Sequence, residues 1–148
     1  FNKLGLPLKI IGRGPELAVL KKQANDNIEF LERVDDENLA KYYAQAKAFV
    51  FPQEEDFGIV AIEAMASGKP IIAYRGGDIV EHMQEPQMGI FFDEQTPEAL
   101  IDVVDNFDQQ HFDVSYIKKQ SKQFDRELFK RTMKDYIDVV FEEHMKTR

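Results

Sequence analysis

Short apolar runs separated by amphipathic stretches set the rhythm of this chain. Leu8–Ile11, Ile28–Leu31, residues 48–51, Ile71–Tyr74 and Gly89–Phe92 read as short buried strands, with Lys9 an exception to their apolar character. Gly12 ends the first and Pro52 stops the third. Helical patterns fall between them. Pro15 suits the first turn of a helix to about residue 24, because its missing N–H is not needed there, and Asn25-Asp26-Asn27 breaks that helix. Asp35 or Asp36 can cap a helix to about residue 46, with Leu39, Tyr42, Tyr43 and Ala46 on its inner side. Residues 58–67 read as a short helix stopped by Gly68 and Pro70, and residues 78–83 as one or two turns. Thr96-Pro97-Glu98 opens a helix to about residue 107. Asp113 and Asp125 are caps for two more, the last reaching about residue 146.

Strands alternating with helices at this spacing predict an α/β fold: a Rossmann-like open parallel sheet with helices on both faces, followed by a helical C-terminal tail. Strands this apolar fit a sheet covered on both sides. The chain reads as one domain over residues 1–148. Residues 1–6 look like the end of a helix leading into the first strand. A helix there should follow an earlier strand, so the first βα unit is expected to lie outside this sequence, which opens on Phe1 rather than Met. The last helix places Leu128/Phe129, Met133, Tyr136/Ile137, Val140/Phe141 and Met145 at helical spacing, a stripe expected to be core, with exposure of part of it here as the alternative.

Composition narrows the function classes. Lys and Arg number 19 against 27 Asp and Glu, a net charge of −8, so a nucleic-acid backbone binder is not expected. With 43% hydrophobic residues a real core can form. No cysteine is present, which excludes disulfides and thiolate metal sites and fits a reducing compartment. His82, His111 and His144 are far apart, read as surface residues and show no metal spacing, so no metal is expected. No apolar run approaches the roughly 20 residues that span a bilayer. Lys118, Lys119, Lys122, Lys130, Arg131 and Lys134 give the C-terminal helices a basic side, read as a solvated face, with contact to an anionic membrane as the alternative.

In an open parallel sheet, ligands bind beyond the C-terminal ends of strands. Gly12-Arg13-Gly14-Pro15 joins the first strand to a helix; its glycines allow close approach of a ligand, although a tight strand–helix turn would use them too. Glu54-Glu55-Asp56-Phe57-Gly58 follows the third strand, with its acids at a helix N-terminus, where negative charge is stabilised. Phe57 and Gly58 would offer unspent backbone N–H groups there. Glu63 is the only charge in Ile59-Val60-Ala61-Ile62-Glu63-Ala64-Met65-Ala66, a helix that reads as largely buried. Buried, that carboxylate needs hydrogen-bond donors, and ligand hydroxyls would serve. A narrow polar stripe facing solvent, or a structural Arg or Lys partner, is the other reading.

The sixteen residues from Glu55 to Pro70, with seven between Glu55 and Glu63, closely resemble the signature of group 1 (family 4) retaining glycosyltransferases, which have the two-domain GT-B fold. Ile10-Ile11-Gly12-Arg13-Gly14-Pro15, Phe30-Leu31-Glu32-Arg33-Val34, Phe51-Pro52, Gly76-Gly77, Met88-Gly89-Ile90 and Phe124-Asp125-Arg126-Glu127-Leu128-Phe129 fit the same family. The resemblance is closest to mannosyltransferases of bacterial and archaeal surface-polysaccharide assembly. It implies the C-terminal, nucleotide-sugar-binding half of such an enzyme, with a nucleotide-diphosphate sugar, GDP-mannose favoured, as donor. It also implies an absent N-terminal acceptor domain, a glycan or lipid-linked acceptor that can be membrane-associated, and no metal or other cofactor. The location expected is cytoplasmic, with peripheral placement at the inner membrane face as a variant.

The resemblance carries roles to single residues. Gly12 and Gly14 would face the donor, and Glu55 would bond hydroxyls of its sugar. Backbone N–H groups at Phe57, Gly58 and Ile59 would meet sugar and diphosphate. Glu63 would take the ribose hydroxyls, and Arg33 and Val34 would line the base pocket. Asp35 or Asp36 can accept two N–H donors of a guanine edge, or cap the helix that follows. Glu55 and Glu63 are the residues expected to matter for catalysis, but not as a glycosidase pair, since that chemistry needs two carboxyls flanking one bond. Asp56 and Glu32 stand where many members have Gly, and Glu81 falls one residue later than the family's acid. The family's diphosphate-gripping Arg and Lys belong upstream of Phe1. Two other classes compete: a non-catalytic nucleotide-sugar module, and a dinucleotide-binding oxidoreductase domain suggested by Gly12, Gly14 and Glu32. For the latter the third glycine would fall on Leu17, and the block from Glu55 to Pro70 would have no role.

Overall fold

A computed structural model describes residues 1–107 and 112–147. Five strands, β1 (Leu8–Ile11), β2 (Ile28–Leu31), β3 (Phe49–Phe51), β4 (Ile71–Tyr74) and β5 (Gly89–Phe92), alternate with α1 (Leu17–Gln23), α2 (Asp36–Gln45), α3 (Ile59–Ala66) and α4 (Ile79–His82). The chain then runs through α5 (Pro97–Phe107), α6 (Val114–Ser121), a 3-10 turn (Lys122–Phe124) and α7 (Arg126–Lys146). Strand and helix positions follow the apolar periodicity closely. Asp35, Asp113 and Asp125 do cap α2, α6 and α7, each accepting a backbone N–H of the first turn.

All pairing is parallel, but the strands form two ladders. β1 and β2 pair from Leu8 opposite Ile28 to Ile11 opposite Leu31. β3, β4 and β5 form the second ladder in that order, with Phe49 opposite Ile71 and Ile71 opposite Gly89. Gly89 permits this register: a Cβ there would lie 2.0 Å from the carbonyl oxygen of Ile71.

The core sits on both faces of the second ladder. Phe51, Ile71, Ala73 and Phe91 pack with Ala61 and Met65 of α3, Ile79 of α4 and Ile117 of α6. On the opposite face, reached by the alternation of side chains, Ile72 and Phe92 pack with Val104 of α5. This is the α/β arrangement with helices on both faces that the pattern predicts.

Two segments tie the ladders together. Residues 1–6 form a single turn closed as a helix C-terminus closes, Gly5 N–H donating to the Phe1 carbonyl at 2.9 Å. Gly5 takes the left-handed φ of +68° usual for the glycine that ends a helix. Phe1 and Leu4 pack on the Ile72–Phe92–Val104 face, while the Asn27 side chain bonds the Phe1 and Leu6 carbonyls at 3.1 and 2.7 Å. The second tie is α2. Its Tyr42 ring lies under Lys9 of β1, 5.4 Å from the ammonium, and its Tyr43 reaches α3 and Phe49 of β3. Neighbouring residues on a helix point about 100° apart, so one tyrosine pair serves both ladders.

Three expectations change. α1 starts at Leu17 because Pro15 and Glu16 build the entering turn, with Glu16 accepting from Leu20 N–H at 2.9 Å. α3 is buried on one face only, through Ala61, Ala64 and Met65, while Ile59 and Val60 are exposed. The apolar stripe of α7 takes the exposed alternative: none of its described residues is buried.

Candidate active site

The loops that leave the C-terminal ends of the strands hold the residues singled out above. After β1, Gly12 N–H donates to the Leu31 carbonyl at 2.9 Å and so finishes the ladder rather than facing a ligand. Its φ of +152° suits only glycine, and nothing lies within 4 Å of where a Cβ would stand at Gly12 or Gly14. The loop is open on the side a ligand would approach. Arg13 reaches across to Glu32 after β2, 3.8 Å away, and Lys21 bonds the same carboxylate at 2.8 Å. The Lys21 hydrogen bond, with the nearby cations, holds the Glu32 carboxyl below its usual range. Glu32 is therefore spent on ion pairs.

Arg33 is exposed and Val34 half-buried at the same edge. The choice between the two aspartates is decided by geometry. Asp35 is the cap: one oxygen accepts Asn38 N–H at 2.8 Å and the other the Asn38 side chain at 2.9 Å. The Asn38 backbone bond, then its side-chain bond, lower the Asp35 carboxyl. Asp36 opens α2 and is exposed, so it is the aspartate left for a ligand.

After β3 the chain turns on Gly58, whose φ of +63° is left-handed, and a Cβ there would meet the Phe51 ring at 3.0 Å. Phe57 and Ile59 are exposed on either side of it. The helix that follows has opening N–H groups with no carbonyl one turn back within it, including those of Ile59 and Val60. Glu55 is exposed; its carboxylate takes a bond from Gln53 Nε2 at 3.0 Å, and its carbonyl accepts Asp78 N–H at 3.0 Å. The loop after β4 locks this one in place. A Cβ at Gly77 would sit 2.4 Å from the Glu55 carbonyl oxygen, and Gly77 itself has φ +68°. Gly77 and Asp78 thus fix the backbone that presents Glu55.

Glu63 takes the solvent-facing one of its two readings. It is exposed, as are Ile59 and Val60 on the same side of α3. It still has a donor within reach: Tyr43 Oη lies 3.4 Å from its Oε2 and 3.2 Å from the Val60 carbonyl. Burial, then the Glu63 charge, push the Tyr43 hydroxyl up to about 12. The phenol therefore stays protonated and acts as a donor.

His82 departs from expectation, since it is half-buried rather than a surface residue. Its ring meets Phe124 edge-on at 4.8 Å and Phe57 at 6.5 Å, and Nε2 lies 2.8 Å from Asp78 Oδ2. Asp78 Oδ2 is buried and makes no hydrogen bond among the described residues. His111 lies outside the described residues, and Glu81 is exposed. Sequence reasoning missed Tyr43 and Asp78 as partners. The only available signal was the Tyr42-Tyr43 pair on a helix expected to face inward. Among the described residues no cluster of His, Asp and Glu has the makings of a metal site, and no helix is long and apolar enough to cross a membrane.

Comparison with known proteins adds a family to this geometry. The family model described as glycosyl transferases group 1 matches residues 2–124. A GDP-mannose-dependent alpha-(1-6)-phosphatidylinositol monomannoside mannosyltransferase of Mycobacterium tuberculosis is 32% identical over 113 residues. The match takes in 68% of this chain and 29% of the relative, so the chain spans under a third of that protein's length. A D-inositol 3-phosphate glycosyltransferase of Corynebacterium urealyticum is 35% identical over 78 residues, covering 52% of this chain and 18% of that protein. Among solved structures, sucrose-phosphate synthase from Thermosynechococcus elongatus superposes with a TM-score of 0.70 at 24% identity, over 91% of this chain and 38% of the other. HepE of Anabaena, solved in complex with UDP, gives a TM-score of 0.70 at 19% identity, over 90% and 41%. These two likenesses carry the fold.

Proposed function

The chain belongs to the group 1 glycosyl transferases, and from that premise we propose that it is the donor-binding half of a retaining hexosyltransferase. The donor is a nucleotide-diphosphate sugar, with GDP-mannose favoured by the name of the mycobacterial relative. The sugar goes to a glycan or lipid-linked acceptor in polysaccharide synthesis, at the cytoplasmic side of the membrane. The observation that carries the reading is the pairing of Glu55 and Glu63 on one loop–helix unit. Both carboxylates are exposed, and between them stand exposed Phe57 and Ile59 at a helix N-terminus. Such a surface offers acceptors for hydroxyls at both ends and backbone donors for an anion in the middle.

In this reading the chain aligns the donor and stabilises charge. Glu55 orients the sugar by its hydroxyls. The N–H groups at Phe57, Gly58 and Ile59 take up charge on the diphosphate as the sugar–phosphate bond stretches toward an oxocarbenium-like transition state. Glu63 holds the ribose, Arg33 and Val34 bound the base, and exposed Asp36 accepts from its edge. No metal takes part. The acceptor and the cationic grip on the diphosphate come from parts of the protein outside these residues. Among the described residues β1 and β3 each have one unpaired edge, which is where a doubly wound sheet of order 3-2-1-4-5-6 has its first strand.

Isothermal titration with GDP, UDP, ADP and GDP-mannose tests the reading, with Glu63→Ala as control. Binding of one nucleotide, lost in the variant, is the expected result. If none binds at millimolar concentration to the intact protein, the donor-site reading falls and a non-catalytic module takes its place.

A further inference from the structure

Glu63 sits on an open helix face with nothing of its own helix to hold it. Ile59, Val60 and Ala66, the residues three and four before it and three after, carry no donor, and Ser67 is not bonded to its side chain. An exposed glutamate in that position samples several rotamers, and binding a ligand means losing that freedom. Among the described residues one side chain reaches it, the hydroxyl of Tyr43 from α2. Resting on the nucleotide-sugar reading, we propose that Tyr43 is the positioning residue of this site: it fixes Glu63 by one oxygen, so that the other meets the ribose diol, and thereby sets a preference for ribonucleotides over 2′-deoxyribonucleotides.

Tyr43 is built for holding. Its side chain is 9% exposed, and its ring packs edge-on against Phe49 of β3, centroids 5.9 Å apart. The hydroxyl therefore has little freedom, and its proton stays on at neutral and mildly alkaline pH. One proton faces two acceptors, Val60 O at 3.2 Å and Glu63 Oε2 at 3.4 Å, and can serve one of them at a time. The carboxylate is the stronger acceptor because it is charged. Bonded to Tyr43 through Oε2, Glu63 keeps Oε1 for a ligand. A vicinal diol presents two donors to such a carboxylate, and removing the 2′-hydroxyl removes one of them.

Tyr43→Phe keeps the ring and its packing and deletes the contact, so folding is retained and the hydroxyl alone is tested. Titration would use whichever of GDP, UDP and ADP the wild type binds, together with its 2′-deoxy counterpart. The expected result is a loss of about three- to tenfold in affinity for the ribonucleotide in Tyr43→Phe. Little change is expected for the 2′-deoxynucleotide, and none on adding Tyr43→Phe to Glu63→Gln. An equal loss for both nucleotides, a loss that persists in the Glu63→Gln background, or no loss at all overturns the role of Tyr43 while leaving the donor site standing. A folded wild type that binds none of the three overturns the donor site, and this role with it.

Discussion

The two parallel ladders are made of strands of three or four residues with similar apolar content, Leu-Lys-Ile-Ile and Ile-Glu-Phe-Leu in one, Phe-Val-Phe, Ile-Ile-Ala-Tyr and Gly-Ile-Phe-Phe in the other. Their surroundings differ completely. The second ladder lies between α3 and α6 on one face and α5 on the other, and Ile71, Ala73 and Ile72 are essentially shut off from solvent. In the first, Lys9 and Glu29 stand opposite each other and bond across the strands, and Ile11, Val19 and Leu20 remain exposed. Among the described residues no side chain before Tyr43 is buried. Apolar content makes a strand; coverage by helices makes it core. The better-packed half also carries the loop–helix unit with Glu55 and Glu63, so the residues with the most chemistry stand on the more rigid support.

The comparison can be broken most directly by paired truncations. Phe51→Ala, at 1% exposure in the middle of the second ladder, should cost about 3 to 5 kcal/mol. Ile11→Ala in the first should cost about 1 kcal/mol or less. Urea unfolding of both variants decides the matter, and equal losses would end the distinction. Next in size is Gly58→Ala, which puts a Cβ into a left-handed turn at φ +63° and 3.0 Å from the Phe51 ring. A loss of about 1 to 2 kcal/mol is expected, accompanied by a displaced Phe57 visible as shifted backbone amide resonances from 55 to 60.

Two pH effects sharpen the picture at the junction between the ladders. The Tyr43 hydroxyl is raised in the folded state to about 12 from an ordinary value near 10. Its contribution is therefore complete below about pH 10 and is lost as pH rises through about 12. Thermal melts should show the wild type losing stability over that range and Tyr43→Phe losing less. Asp35 is the smaller effect and has the opposite sign. Its carboxyl is lowered by Asn38, so its contribution is present above the ordinary carboxylate value and is lost as pH falls below about 4. Asp35→Asn should flatten that acid limb slightly, and an unchanged limb would mean that the cap does little for α2.

Much of the fold was legible because the strands are short, apolar and punctuated. Gly12, Pro52, Gly68 and Pro70 mark where the chain must leave a regular element, and Asp35, Asp113 and Asp125 announce helices through a local bond three residues long. Local rules of this kind need no partner elsewhere in the chain. The stripe of α7 obeys the local pattern of a core helix and lacks a cover among the described residues, which periodicity along one segment does not reveal. Phe129, Ile137 and Phe141 all stay exposed, whereas Gly5 closes the turn of residues 1–6 by a local bond of the legible kind.

The candidate site divides in the same way. Spacing along one segment was enough to set Glu55 before a glycine turn and Glu63 five residues after that glycine. Only the tertiary structure decided that Glu63 faces solvent, that a tyrosine twenty residues away holds it, and that Gly77 locks the backbone of Glu55. Those outcomes depend on which helix covers which face. That is settled by packing between segments distant in sequence, where side-chain pattern sets the period of burial but not the identity of the neighbour.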